Sequence, residues 1–251
     1  MRIAIPDTPY TRPLTERAEA VCAAKGWTLT VTSEAKCATL LRTQSVDLAL
    51  LSPLGYASAV GRTDERIIPG PTVSLMDYTN IAGVRFLPGA VDVVRSVADE
   101  PEAYAVVMMG LLLAERLDAP ITVKPRADES DPEAELVFAA PGKPLALDLG
   151  EEWFDATDLP LPMAMWVCLG ELEDDDIDFR SIVNDLCTAD LPEQTAVSEM
   201  PEPGADTFPR EGALLYRWSP EVEEAVGEVI ELLFYHQLIP EIAKVKLLGR
   251  D

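Results

Sequence analysis

The stretch 147–168, LDLGEEWFDATDLPLPMAMWVC, constrains this chain more than any other, because it is the one long segment whose residues follow a specific pattern. Asp148-Leu149-Gly150 closes an apolar run, Glu151-Glu152-Trp153-Phe154 begins a short helix, and Leu159-Pro160-Leu161-Pro162 forces the chain extended before the apolar run 163–168. Proline fixes φ, removes an amide donor and drives its predecessor out of helical space, so two prolines in alternation make a stiff strap. Such a strap suits a crossing between two lobes. On composition alone it fits an ordinary turn before a core strand equally well.

Around that stretch the chain alternates strands and helices. Residues 2–5 form a first strand, ended by Pro6, and the stripe Leu14, Ala18, Val21 and Cys22 predicts a helix over 14–22 that Gly26 stops. Residues 27–32 alternate large apolar side chains with threonine, which predicts a strand with one buried face. Ser33 caps a helix running to Arg42, and 46–51 is a continuous apolar run of the kind found in parallel sheets buried on both faces. Strand, helix, strand, helix, strand is the grammar of an α/β lobe.

Ser52-Pro53 opens another helix directly after that strand, with proline at its tolerated first position. Farther on come Pro69-Gly70-Pro71, then two candidate strands, 72–78 and 81–87, ending at Pro88-Gly89, and a short helix over 90–97. Residues 105–116 form a helix apolar nearly all round, 121–123 and 136–140 are strands, and 126–133 is a charged surface loop. The acidic run 171–178 fits a solvated helix start, and 190–211, rich in proline, acid and threonine, fits a surface loop. Ser219-Pro220 starts the last helix, with an apolar face of Val222, Val226, Val229, Ile230, Leu233 and Phe234; His236, the single histidine, sits at its end in a structural role favoured by the helix dipole.

Composition excludes several functions. The formal net charge is −24, with 44 acidic and 20 basic residues, so the surface repels nucleic acid and anionic membranes. Such an acidic, lysine-poor surface also resembles those of salt-adapted proteins. The longest apolar runs fall short of the roughly 20 residues that span a bilayer, and Met1-Arg2-Ile3-Ala4-Ile5-Pro6 leads straight into a strand with no hydrophobic signal region, so the expected location is the cytoplasm. Cys22, Cys37, Cys168 and Cys187 are widely spaced with no C-x-x-C pair, which fits reduced core thiols; neither a metal nor a cofactor is expected. Nothing in the sequence fixes an oligomeric state.

The stretch 147–168 resembles the segment D-L-G-x-x-W followed by T-G-L-P-hydrophobic-A-hydrophobic-W of the menaquinone-biosynthesis family that contains chorismate dehydratase and dihydroxynaphthoate synthase. Thr11-Arg12-Pro13-Leu14, the run VDLALLSPLGYA at 46–57 and LLLAER at 111–116 agree with that family in order and spacing, as does Leu238-Ile239-Pro240 near the end. The resemblance implies an α/β, two-lobed, periplasmic-binding-protein type II-like fold with a cleft between the lobes. Residues 1–87 and 168–251 would form the first lobe and 88–167 the second.

In open α/β sheets, ligands collect outside the carboxyl ends of strands, where helix N-termini offer unpaired amides. That places Ser52 in the expected site by position, with Tyr56 one turn on. Dehydrating chorismate needs anchors for two carboxylates, a proton acceptor and exclusion of water, and from the first lobe the resemblance offers Thr11, Arg12 and Ser52 as anchors. Tyr104, with the backbone of Ala105, would face them; no catalytic base is assigned.

Three positions depart from the family pattern. Tyr10 stands where the family carries asparagine, 100–105 (EPEAYA) replaces an S-x-T-S loop, and Ala139-Ala140 replaces G-D. Two functions remain. One is a chorismate-dehydratase-like lyase of menaquinone biosynthesis acting on a small carboxylate. The other is a small-molecule-binding protein of the same fold without turnover, its pocket lined by Tyr10, Tyr56, Tyr104 and Trp166.

Overall fold

The computed structural model describes residues 1–58, 63–90, 95–140, 143–170, 177–200 and 208–250. The chain divides into two compact units. The first comprises Met1–Ser74, Leu161–Gln194 and Leu215–Asp251, and the second Leu75–Pro160 and Thr195–Leu214. The crossings expected at 87/88 and 167/168 thus fall at 74/75 and 160/161, the latter inside the Leu159–Pro162 strap, and a further segment, Thr195–Leu214, belongs to the second unit.

The chain opens with β1 (Arg2–Pro6), a 3-10 turn, α1 (Arg12–Thr15), α2 (Ala18–Lys25), β2 (Thr28–Thr32), α3 (Glu34–Arg42), β3 (Leu48–Leu51), α4 (Pro53–Ala57) and β4 (Glu65–Asp77). It continues through β5 (Ala82–Phe86), β6 (Arg95–Ala98), α5 (Tyr104–Leu117), β7 (Thr122–Pro125), β8 (Ala134–Phe138), β9 (Leu147–Asp148) and α6 (Leu149–Thr157). It then adds β10 (Leu161–Leu169), α7 (Phe179–Leu186), β11 (Gln194–Glu199), β12 (Arg210–Arg217) and α8 (Pro220–Tyr235).

The larger sheet has the order β11-β12-β4-β10-β3-β1-β2. Its central strands are buried on both faces: every residue of β3 and β10 is buried, as the continuous apolar runs at 46–51 and 163–168 require. β10 runs antiparallel to β3, with Met165 opposite Leu51 and Cys168 opposite Leu48. Over it lies α8, which buries Val222, Ala225, Val226, Val229, Ile230 and Leu233; Phe234 is half-buried. Ser219 caps that helix by accepting the Val222 N–H at 3.3 Å. All four cysteines are buried thiols.

Several expected elements differ. The 14–22 helix breaks into α1 and α2 because the Arg17 N–H donates to the Leu186 carbonyl at 3.1 Å instead of to its own helix. β2 has no buried face: it is the sheet edge, and Val31 is 55% exposed. Pro69-Gly70-Pro71 does not end a strand but lies inside the thirteen-residue β4. Residues i and i+2 of a strand turn their backbone groups to the same side, so both prolines remove donors from one side only. Gly70 turns to the other, where its carbonyl accepts the Trp218 N–H at 2.9 Å.

Where a helix was expected over 90–97, Arg95–Ala98 form β6, drawn into parallel ladders with β7 and β8; residues 91–94 lie outside those described. The loop expected over 190–211 contains β11 and the start of β12, with 201–207 outside the described residues. Of the acidic run 171–178, 171–176 lie outside them, and Asp178 caps α7 by accepting the Ser181 N–H at 3.0 Å.

The smaller sheet, in the second unit, has the order β7-β6-β8-β5-β9. Against it packs α5, whose Tyr104, Ala105, Val106, Met108, Met109, Leu112 and Leu113 are buried, as its nearly all-round apolarity predicts. Asp148, fully buried, ties this unit together. Its Oδ1 caps α6 by accepting the N–H groups of Gly150 at 3.0 Å and Glu151 at 3.3 Å, and also accepts the Thr79 N–H at 3.1 Å. Oδ2 accepts the Asn80 N–H at 2.8 Å. The motif Asp148-Leu149-Gly150 is thereby explained as a knot between the β4–β5 turn and a helix start. Gly150 is part of it, since a Cβ there would lie 2.4 Å from the Asp77 carbonyl oxygen.

Candidate functional site

In the first unit β1 is flanked by two parallel neighbours, with Ile3 opposite both Leu48 and Leu29. All three strands therefore end on one edge, which carries the 3-10 turn Pro9–Thr11 after β1, Ser33-Glu34 after β2 and Ser52 after β3. Extending the register Ala4–Ala49 places Asp7 beside Ser52, so Tyr10, Thr11, Arg12 and Ser52 belong to one neighbourhood of the sheet.

Their hydroxyls are not equivalent. Tyr10 is buried and donates to the Glu34 carboxylate. Thr11, 1% exposed, donates its proton to the Thr8 carbonyl at 2.8 Å. Tyr56 donates to the Lys244 carbonyl at 2.9 Å and accepts the Lys246 N–H at 3.0 Å, which straps the C-terminal segment down; burial pushes its hydroxyl up to about 12. Ser52 accepts the Gly55 N–H at 3.3 Å, capping α4, and retains its proton for another acceptor. Arg12 is exposed, carries no ion pair among the described residues, and borders an open groove of about 840 Å³ with Asp7, Thr15 and Glu16. Of the polar groups expected at this edge, Ser52 and Arg12 are the two whose donors no internal acceptor takes among the described residues; Arg12 lines the groove, while Ser52, 5% exposed, does not.

Beside Tyr56, at the start of β4, lies Glu65, 4% exposed. Its Oε1 accepts from the Thr63 hydroxyl at 3.0 Å, and its Oε2 has no partner among the described residues. Burial pushes its carboxyl up to about 7, against the opposing pull of Thr63 and the Arg42 charge. The folded state therefore holds the Glu65 proton more tightly than the unfolded chain, and this contribution to stability is lost as pH rises from about 4.5 through about 7. Glu65→Gln keeps the Thr63 contact and is expected to raise stability at pH 8 by about 1–2 kcal/mol while leaving pH 4 nearly unchanged. Thermal midpoints of both proteins at the two pH values test this; equal shifts at both would refute it.

In the second unit β6 is parallel to β7 and β8, with Ala98 opposite Pro125 and Val97 opposite Glu135. Toward the carboxyl ends of these strands lies a pocket of about 500 Å³. Leu136, Val137, Phe138 and Val106 supply its apolar wall, and Arg85, Asp99, Glu100, Arg126, Glu135 and Lys143 its charges. Arg126 is held from two sides: its Nη1 pairs with Glu135 and its Nε donates to Asp99 Oδ1 at 3.0 Å. Arg85 gives one nitrogen, Nη1, to Glu135 Oε2 at 3.1 Å, and its Nε is buried with no acceptor. Lys143 is exposed and has no ion pair among the described residues.

Tyr104 and Ala105 are each 1% exposed and begin α5; the pocket wall uses Val106, the next residue. The sequence reasoning passed over Arg85, Arg126, Glu135 and Lys143. A signal was present: Arg85 in Ala82–Phe86 and Glu135 in Ala134–Phe138 are charges set inside otherwise apolar strands.

No family model matches the chain, and no curated protein matches it by sequence. Solved structures do match, over nearly its full length. The periplasmic aliphatic sulphonate binding protein SsuA from Escherichia coli aligns at 10% identity with a TM-score of 0.58, covering 98% of this chain and 95% of its own. Protein AF1704 from Archaeoglobus fulgidus aligns at 14% identity and 0.56, covering 95% and 98%, and an ABC transporter protein from Parabacteroides distasonis at 12% and 0.55, covering 99% and 96%. The chain thus has the mixed α/β, periplasmic-binding-protein-like fold that its sequence implies. Among the described residues no helix is long and apolar enough to cross a membrane.

Proposed function

We propose that this chain binds a small organic carboxylate through the strand-end residues Arg12 and Ser52. One observation carries the reading: at an edge where Tyr10, Thr11 and Tyr56 spend their hydroxyl protons internally, Ser52 keeps a free proton and Arg12 a guanidinium without an ion pair. An arginine fork and a serine hydroxyl are each a good match for a carboxylate oxygen. The likeness in fold to a sulphonate-binding protein supports a small anion as the ligand class.

The resemblance of 147–168, 46–57 and 111–116 to the chorismate dehydratase family supports the finer reading, a lyase of menaquinone biosynthesis working in the cytoplasm. That reaction removes a proton from carbon and expels hydroxide, leaving an enolpyruvyl-benzoate. Here Arg12 and Ser52 would hold the substrate rather than perform the proton transfer.

Binding without turnover is the second reading. It is favoured by the acids Asp99 and Glu100 at the strand ends of the second unit, where the family has an S-x-T-S loop. Incubating the protein with chorismate separates the two. Release of the enolpyruvyl-benzoate, abolished by Arg12→Gln, supports the lyase; a saturable thermal shift without product supports the binder. Neither signal at millimolar chorismate defeats both.

A further inference from the structure

Three cations and three carboxylates line the second unit's pocket. Asp99 and Glu135 are directed at Arg126, Glu135 reaches one nitrogen of Arg85, and Glu100 is exposed. That leaves the Arg85 Nε–H, buried and without an acceptor, and the Lys143 ammonium, without a carboxylate partner among the described residues. In a chain with 44 acidic residues against 20 basic ones, two cationic donors left over in one pocket are not a matter of scarce partners.

We propose that Arg85 and Lys143 form an anion subsite for the carboxylate of a small ligand with an apolar body, seated against Val106, Val137 and Phe138. The inference rests on the small-carboxylate reading above and extends it to a second group of residues. Arg85 supplies a part-exposed guanidinium already fixed by Glu135, and Lys143 supplies an unfixed charge from the pocket rim. The apolar strand residues exclude water from one side, which strengthens both interactions. The preferred ligands are flat or short-chain carboxylates, for which about 500 Å³ leaves ample room.

Benzoate is the probe, with benzamide as its neutral counterpart. Backbone amide NMR shifts of the whole protein, titrated with each at constant ionic strength, are expected to move for Val106, Phe138 and Ala140 with benzoate, and at least tenfold more weakly with benzamide. Lys143→Gln, on an exposed side chain, is expected to weaken benzoate binding by about three- to tenfold, and Arg85→Gln by tenfold or more. Should Arg85→Gln disturb the fold by releasing Glu135, the Lys143 variant and the benzoate-to-benzamide ratio still decide. Benzoate shifts absent from these residues, or unchanged in Lys143→Gln, overturn the subsite. Because the chorismate experiment with Arg12→Gln reads the other strand-end group, its failure and this one are separable.

Discussion

Gly83→Ala is expected to destabilise the second unit by about 3–5 kcal/mol, the range reached when a core is overpacked with no route of escape. A Cβ on Gly83 would lie 1.9 Å from the Leu147 carbonyl oxygen and 3.2 Å from the Asp148 Cα. These are backbone atoms, so no rotamer change relieves the overlap, and β5 and β9, which pair Gly83 with Asp148, have to separate. Gly227 is the matching control, inside α8 with nothing within 4 Å of its Cβ position. Gly227→Ala is expected to stabilise the protein by about 0.5–1 kcal/mol. Urea unfolding followed by far-UV circular dichroism and by amide exchange in β5 and β8 measures both; an unchanged midpoint for Gly83→Ala would contradict the close strand approach.

The second large effect is expected at Asp148. Asp148→Ala removes the α6 cap and leaves the Thr79, Asn80 and Gly150 amides without their acceptor, for an expected loss of about 4 kcal/mol. The turn it holds is a demanding one: Asp77 and Asn80 have φ of 58° and 52°, a left-handed conformation that costs non-glycine residues energy unless neighbours fix it. Asp148→Asn keeps one acceptor oxygen but sets an amide N–H₂ against a backbone donor, so about 2–3 kcal/mol is expected to be lost.

Burial pushes the Asp148 carboxyl up to about 6, although the Thr79, Glu151 and Asn80 amides and the Arg210 charge pull it back. The folded state therefore holds this proton more tightly than the unfolded chain. Its contribution falls as pH rises from about 4 to about 6 and is flat above, where the carboxylate is charged. In Asp148→Asn that part of the pH dependence is expected to vanish, leaving the shallower fall from about 4.5 to about 7 that Glu65 causes. Denaturant midpoints at half-unit intervals from pH 4 to 8 separate the two carboxyls; a slope between 4 and 6 as steep in Asp148→Asn as in the parent protein would refute the assignment.

What the sequence made legible was periodicity and punctuation. The apolar runs at 46–51 and 163–168 and the α8 stripe identified the buried strands and their covering helix, because a residue inaccessible on every side leaves no polar option. The Pro160-Leu161-Pro162 strap coincides with the division at 160/161, seven residues before the bound expected at 167/168. Pro69 and Pro71 misled because their effect depends on which side of β4 they face, and that is a property of the neighbours. β6, β11 and the split of α1 from α2 were set by partners far along the chain, such as the Leu186 carbonyl that draws Arg17. Among candidate site residues, residue type and strand-end position pointed to Arg12 and Ser52, the two on which the proposed function rests. They did not show that the hydroxyls of Tyr10, Thr11 and Tyr56 have internal work, and Arg85 and Lys143 emerge as a pair only when β5 lies beside β8.

The place of β10 in its sheet has a bearing on how the chain is made. It sits between β3 and β4, yet in sequence it follows the whole of Leu75–Pro160. As the polypeptide leaves the ribosome, β1, β2 and β3 emerge more than a hundred residues before their missing neighbour. Through that interval the hydrophobic rim of β3 has no native partner, a state open to capture by another nascent chain. The nine apolar or small residues that finally fill the gap arrive directly behind Pro160, so release of the strap by the translation machinery marks the moment at which the amino-terminal unit can close.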